Sequence, residues 1–80
     1  MGIAMNYLAQ AHESNGNDTS PIARRVDDHV GERIRERRTE LGRTQEELGR
    51  ALGISYQQVQ KYETAANRVS AGRLYELSRE

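Results

Sequence analysis

The sequence predicts an all-α fold, a single small bundle of four helices. Three observations carry that expectation. Eighty residues leave room for one small domain. From Asp27 onward the apolar residues recur at three- and four-residue spacing, and no segment reads as a strand. Capping side chains and glycines fall where such helices must start and stop.

The chain divides near residue 26. Residues 1–26 are sparse in large apolar side chains and contain the run Ser14-Asn15-Gly16-Asn17-Asp18-Thr19-Ser20-Pro21, which favours turns and open chain. This part reads as a flexible N-terminal arm. Ile3, Tyr7, Leu8 and Ala11 fall at helical spacing inside it, so a short amphipathic helix over residues 3–13 is an alternative for its first half.

Residues 27–80 form the domain. Asp27 or Asp28 is expected to cap a first helix whose buried stripe is Val30, Ile34 and Leu41, with Gly42 as its stop. Thr44 stands three residues before Glu47, a capping-box spacing that opens a second helix with Leu48, Ala51 and Leu52 on its apolar side. Gly53 ends it by supplying a left-handed residue. Ser55 caps a third helix carrying Val59 and Tyr62; residues 65–69 form a loop; Ser70 caps a fourth helix with Leu74 and Leu77 that runs to the end at Glu80. Ile54 and Val69 complete a predicted core of twelve side chains.

Composition narrows the function. Twelve Lys and Arg balance twelve Asp and Glu, and apolar residues make up only 35%, so the core is modest and the surface heavily charged. Without cysteine there is no disulfide framework, thiolate metal site or Cys nucleophile. No apolar run approaches the ~20 residues that span a bilayer, and no secretory signal pattern opens the chain; the expected location is cytoplasmic. His12 and His29 are seventeen apart, in no zinc-ligand pattern. Glu46 and Glu47 are adjacent on a helix and so diverge, which argues against a paired catalytic site. No phosphate-binding glycine loop or nucleophile elbow is present. The expectation is no enzyme, no metal and no cofactor. At face value the zero net charge also argues against nucleic acid, although a total says nothing about placement.

The second and third helices form one unit of two short helices joined by about three residues, which must cross steeply. Gly49 is small where the axes approach, Gly53 makes the turn, and Leu48, Leu52, Ile54, Val59 and Tyr62 form the wedge between them. Together with His29-Val30-Gly31-Glu32-Arg33-Ile34-Arg35-Glu36-Arg37-Arg38 and Gln57-Gln58-Val59-Gln60-Lys61-Tyr62-Glu63, this unit resembles the Cro and phage-repressor (XRE) family of helix-turn-helix DNA-binding domains, over residues 29–79. The resemblance implies a lambda-repressor-like bundle, with the fifth helix of the family missing from this chain, so that the domain is truncated at its C-terminal end and its core open on one side. It also implies a sequence-specific transcriptional regulator, a repressor by preference, bound as a homodimer to pseudo-palindromic double-stranded DNA in the nucleoid. An antitoxin or a restriction-modification controller of the same fold is the alternative. So is a protein-interaction module without DNA readout, though its recognition helix should expose large apolar anchors, and only Tyr56 qualifies.

Specific residues follow from this. The third helix, over residues 55–63, would lie in the major groove with its N-terminal residues on base edges. Tyr56, Gln57, Lys61 and Gln60 occupy its solvent side, with no acid between Ile54 and Tyr62; Gln pairs bidentately with adenine and Lys suits the acceptors of guanine. Gln45, at a helix N-terminus, is a candidate phosphate contact with Arg43 and Thr44 beside it. Arg43 stands where relatives carry an aliphatic residue, so it adds a phosphate contact or weakens the core. Asn67, Arg68 and Ser70 would meet phosphates across the groove. The resemblance further implies a buried ion pair between Arg38 and Glu63, structural rather than DNA-reading. Ala65 stands where relatives have Gly, which costs about 1 kcal/mol if the residue is left-handed.

Overall fold

The structure, a computed structural model, describes residues 20–80. Most of the expected arm, the candidate helix over 3–13 and His12 therefore lie outside the described residues. Four helices follow one another: α1 (Pro21–Glu40), α2 (Gln45–Leu52), α3 (Tyr56–Glu63) and α4 (Ala71–Ser78), and no strand occurs among the described residues.

The start of α1 corrects the sequence reading, which placed the cap at Asp27 or Asp28. Ser20 is the N-cap, its Oγ accepting from the Ala23 N–H at 3.1 Å, and Pro21 occupies the first helical turn. A proline there gives up an N–H that no helix bond would use and brings a preset φ. The Ser-Pro pair that looks like a turn signal in isolation is thus a helix start. Two further turns of helix result, and they leave Ile22 74% exposed and Val26 also open to solvent. At the other end Gly42 adopts φ 69° and donates its N–H to the Thr39 carbonyl; Arg37 and Arg38 in the last turn suit the negative end of the helix dipole.

The turn chemistry of α2 and α3 is as read. Thr44 Oγ1 accepts from the Glu47 N–H at 3.0 Å while Glu47 Oε1 accepts from the Thr44 N–H at 2.9 Å, closing the capping box. Gly53 ends α2 at φ 73°. A Cβ on Gly49 would sit 2.6 Å from the Ile54 carbonyl oxygen, so only glycine lets the chain turn this tightly into α3. Ser55 caps α3 through the Gln58 N–H, and Ser70 caps α4 through that of Arg73. After α3 the chain turns through Ala65 at φ 62°. The last helix does not run to Glu80; it closes at Ser78, where the Arg79 N–H bonds the Glu76 and Leu77 carbonyls.

Ile34, Leu48, Leu52 and Val59 form the buried cluster, with Val30, Ile54, Tyr62, Val69 and Leu77 packed against it. Three members of the expected core are exposed instead. Ala51 lies about 100° around α2 from the middle of the buried face set by Leu48, Gly49 and Leu52. Leu41 and Leu74, 42% and 39% exposed, line an apolar groove of about 420 Å³ between α1 and α4. That groove is the open side of the core. Gly31, which the sequence reading did not single out, is where α1 meets the end of α3: a Cβ there would lie 2.6 Å from the Tyr62 carbonyl oxygen and 2.7 Å from that of Glu63.

Candidate nucleic-acid interface

The crossing of α2 and α3 divides α3 into two faces. At roughly 100° per residue, Tyr56, Gln57, Gln60 and Lys61 fall within an arc of about 140°, and all four are exposed. Gln58, Val59, Tyr62 and Glu63 occupy the opposite arc and are buried or half-buried. Ser55 starts the helix so that Tyr56 and Gln57 stand in its first turn. The exposed arc thus holds one cation, two amides and one phenol, and no acid.

Beneath it, Glu63 anchors α3 to the rest of the bundle. Its side chain is 3% exposed, and the carboxylate accepts three hydrogen bonds: Arg38 Nε to Oε2 at 2.6 Å, Arg38 Nη2 to Oε1 at 3.1 Å, and Gln45 Nε2 to Oε1 at 3.2 Å. Arg38 Nη1 donates to the Arg43 carbonyl at 2.9 Å. One guanidinium therefore ties the end of α1, the α1–α2 turn and the end of α3 together. Its hydrogen bond to Glu63 pushes the Arg38 pKa above its ordinary value, against the opposite effect of burial. Near the surface, the Thr44 backbone N–H holds the Glu47 carboxyl below the usual carboxylate range.

The expected phosphate contacts divide. Thr44 and Ser70 each accept a capping bond, which leaves the hydroxyl hydrogen for an outside acceptor. Asn67 is exposed, its Nδ2 a long 3.5 Å from Gln58 Oε1. Arg68 Nε donates to Asp27 Oδ2 at 3.0 Å, so this expected phosphate contact is already paired. Gln45 turns its amide inward to Glu63, a contact the sequence did not signal. Arg43 is paired as well: its Nη1 donates to Glu80 Oε1 at 2.9 Å on the rim of the α1–α4 groove. The Arg43 stem lies beside the open groove, which leaves its charged tip free to reach the Glu80 side-chain carboxylate. Asp27, read as a helix cap, is instead a mid-helix residue facing Arg68. The Arg-rich outer face of α1 is laced with its own acids, Arg33 with Glu36 and Arg37 with Glu40.

The helix-turn-helix family profile matches residues 34–80, more than half of the chain. The chain belongs to the XRE-type helix-turn-helix family. Among its relatives, this helix-turn-helix chain is 56% identical over 54 residues to an uncharacterized transcriptional regulator in the ATPase CF(0) region of Rhodospirillum rubrum, a match covering 68% of this chain and 50% of the relative. It is 60% identical over 53 residues to an uncharacterized helix-turn-helix-type transcriptional regulator of Sinorhizobium medicae strain WSM419, covering 66% of this chain and 38% of the relative. A third, from Sinorhizobium fredii, is 48% identical over 66 residues, 82% of this chain and 46% of the relative. The chain thus spans half or less of the length of these relatives. No solved structure matches it. Among the described residues no helix is long and apolar enough to cross a membrane, and no three His, Cys, Asp or Glu side chains are grouped to hold a metal ion.

Proposed function

We propose that this helix-turn-helix unit is the DNA-binding part of a sequence-specific transcriptional regulator that reads the major groove with α3. The observation that carries the reading is the exposed arc of Tyr56, Gln57, Gln60 and Lys61, whose side chains make no hydrogen bond or ion pair among the described residues. Polar side chains held unpartnered on a rigid helix, at the protruding edge of a helix-turn-helix unit, suit base edges. Gln57 and Gln60 can each pair an adenine through N6 and N7, Lys61 can donate to guanine O6 and N7, and Tyr56 can cover a thymine methyl. Thr44, Asn67, Arg68 and Ser70 flank the arc and would fix its register on phosphates. An interaction module would need more apolar surface on α3 than Tyr56 provides.

One eight-residue helix reads only a few base pairs, so the regulator works as a homodimer. Two-fold symmetry then calls for pseudo-palindromic half-sites about one helical turn apart. It acts as a repressor in the nucleoid, by occupying promoter DNA; the naming of its relatives as transcriptional regulators supports the regulator class alone. The test is selection of a binding site from random duplex DNA, followed by titration. Gln57→Ala should cost about 1–3 kcal/mol and relax one base position, whereas Arg68→Ala should weaken all sequences alike and flatten the salt slope. Absence of salt-dependent binding by the full-length dimer would refute the proposal, and a selected site without two-fold symmetry would refute the dimer.

A further inference from the structure

The two extra turns of α1 lay a carboxylate beside the loop that leaves the recognition helix. Ser20, Arg24, Asp27 and Gly31 follow one another at four-, three- and four-residue spacing, a single stripe along α1. Gly31 is pressed against the Tyr62 and Glu63 carbonyls at the end of α3, so Asp27, one turn earlier, faces the α3–α4 loop. There Asp27 Oδ2 accepts from Arg68 Nε at 3.0 Å. The two side chains are unequal partners: that of Asp27 is 20% exposed, that of Arg68 54%. The carboxylate is the fixed member and the guanidinium the one that faces solvent.

We propose that Asp27 is a positioning residue that holds Arg68 at the interface and attenuates its attraction for DNA phosphates. This rests on the DNA-binding reading above. A phosphate that reaches Arg68 meets a guanidinium whose charge is already opposed 3.0 Å away, well inside the ~8 Å screening length of physiological salt. The close backbone approach at Gly31 keeps this turn of α1 beside the α3–α4 loop when DNA arrives, so the carboxylate stays within screening distance of Arg68 in any rotamer. Its repulsion therefore persists in the complex and lowers affinity for every sequence equally. Base discrimination by α3 is untouched, so a larger share of the remaining affinity depends on sequence.

The test is titration of the full chain with its selected operator and with an unrelated duplex, at about 50 mM and 200 mM salt. Asp27→Asn should tighten binding to both duplexes, by about threefold to fivefold at the lower salt, the most that releasing an exposed pair can return. The gain should shrink at the higher salt, and the log–log salt slope should steepen by up to about 0.9. Asp27→Glu should stay near wild type. Asp28→Asn makes the same charge change one residue along, on a side chain turned to Arg24, and should have a clearly smaller effect. Asp27→Ser is a second neutral variant, and melting curves establish that each variant is folded. Equal or weaker binding by the folded Asp27 variants overturns the attenuation while leaving the DNA-binding reading intact, as does an equal gain from Asp28→Asn. A wild-type chain that binds neither duplex overturns both.

Discussion

Replacing Glu63 by Gln changes one atom and two properties, and it tests whether the end of the recognition helix is held as described. The carboxylate accepts from Arg38 through both oxygens, and from Gln45 through one of them. A glutamine amide has one acceptor oxygen. In either flip its NH₂ must face a donor, Arg38 Nε in one case and Arg38 Nη2 with Gln45 Nε2 in the other. The charge opposing a half-buried guanidinium is lost as well. Removing one partner of a buried pair costs about 3–5 kcal/mol. A domain of about 60 residues carries in total only roughly 3–9 kcal/mol. At about 4–8 °C per kcal/mol for a domain this small, the midpoint should fall by about 12 °C or more. Thermal and urea unfolding followed by circular dichroism at 222 nm measures it. The double variant Arg38→Met with Glu63→Leu should lose less than Glu63→Gln alone, because it buries no unmatched charge. A Glu63→Gln midpoint within about 2 °C of wild type would refute the reasoning, since it would mean that the pair is solvated rather than holding α1 to α3.

The remaining stability predictions use the same unfolding measurement. Gly31→Ala drives a Cβ to 2.6 Å from a backbone oxygen that no rotamer change can move, and should cost about 1–3 kcal/mol; an unchanged midpoint would show that α1 and α3 are not in contact. Ala65→Gly relieves a left-handed alanine at φ 62°, worth about 1–2 kcal/mol, against about 0.5–1 kcal/mol for the flexibility of glycine, so the domain should gain between about 0 and 1.5 kcal/mol. Glu47 has a lowered folded pKa. Its contribution is therefore fully present above the ordinary value of 4.5 and is lost as pH falls through the lower folded one. Glu47→Gln should destabilise at pH 7 and flatten the acid limb of the stability profile; parallel profiles would refute the cap.

What the sequence made legible was what neighbouring residues decide among themselves. Thr44 and Glu47, Gly49 and Ile54, Gly53, and Ser55 and Gln58 each act over at most five positions, so their spacing carries the geometry and the α2–α3 unit could be read whole. The exposed arc of α3 follows from that unit. The start of α1 was hidden because Ser-Pro serves turns and helix caps equally well, and the contact that fixes its first turns against the domain lies elsewhere. Asp27 finds Arg68 across 41 residues and Arg43 finds Glu80 across 37; no local pattern announces either. Gly31 stood in plain view within the His29–Arg38 segment, but its purpose depends on carbonyls of α3. Gln45 at a helix N-terminus signals an anion contact, but the buried Glu63 carboxylate that its amide meets lies 18 residues away.

The balanced charge bears on how such a domain would use DNA. Most arginines of the described residues are consumed in ion pairs: Arg24 with Asp28, Arg33 with Glu36, Arg37 with Glu40, Arg38 with Glu63, Arg43 with Glu80, Arg68 with Asp27 and Arg73 with Glu76. Pairs of this kind lie close enough to cancel beyond a Debye length. Of the proposed contact residues, Lys61 and Arg68 carry positive charge, and Arg68 is paired with Asp27; Thr44, Asn67 and Ser70 would contact phosphates as neutral donors. On the proposed reading Lys61 takes a base or a phosphate, so each copy of the domain would neutralise at most about two phosphates. Each phosphate neutralised contributes about 0.9 to the log–log salt slope, so the slope should not exceed about 1.8 per protomer, and should be nearer one if Lys61 is spent on a guanine. Titration at three or more salt concentrations measures it. A slope of three or more per copy of the domain would mean either that exposed arginines outside this strip, such as Arg25, Arg35 or Arg50, also reach the duplex or that ion pairs of α1 open on binding. A shallow slope with sequence discrimination intact is what a domain with its arginines largely paired and an acid-free exposed arc on α3 requires.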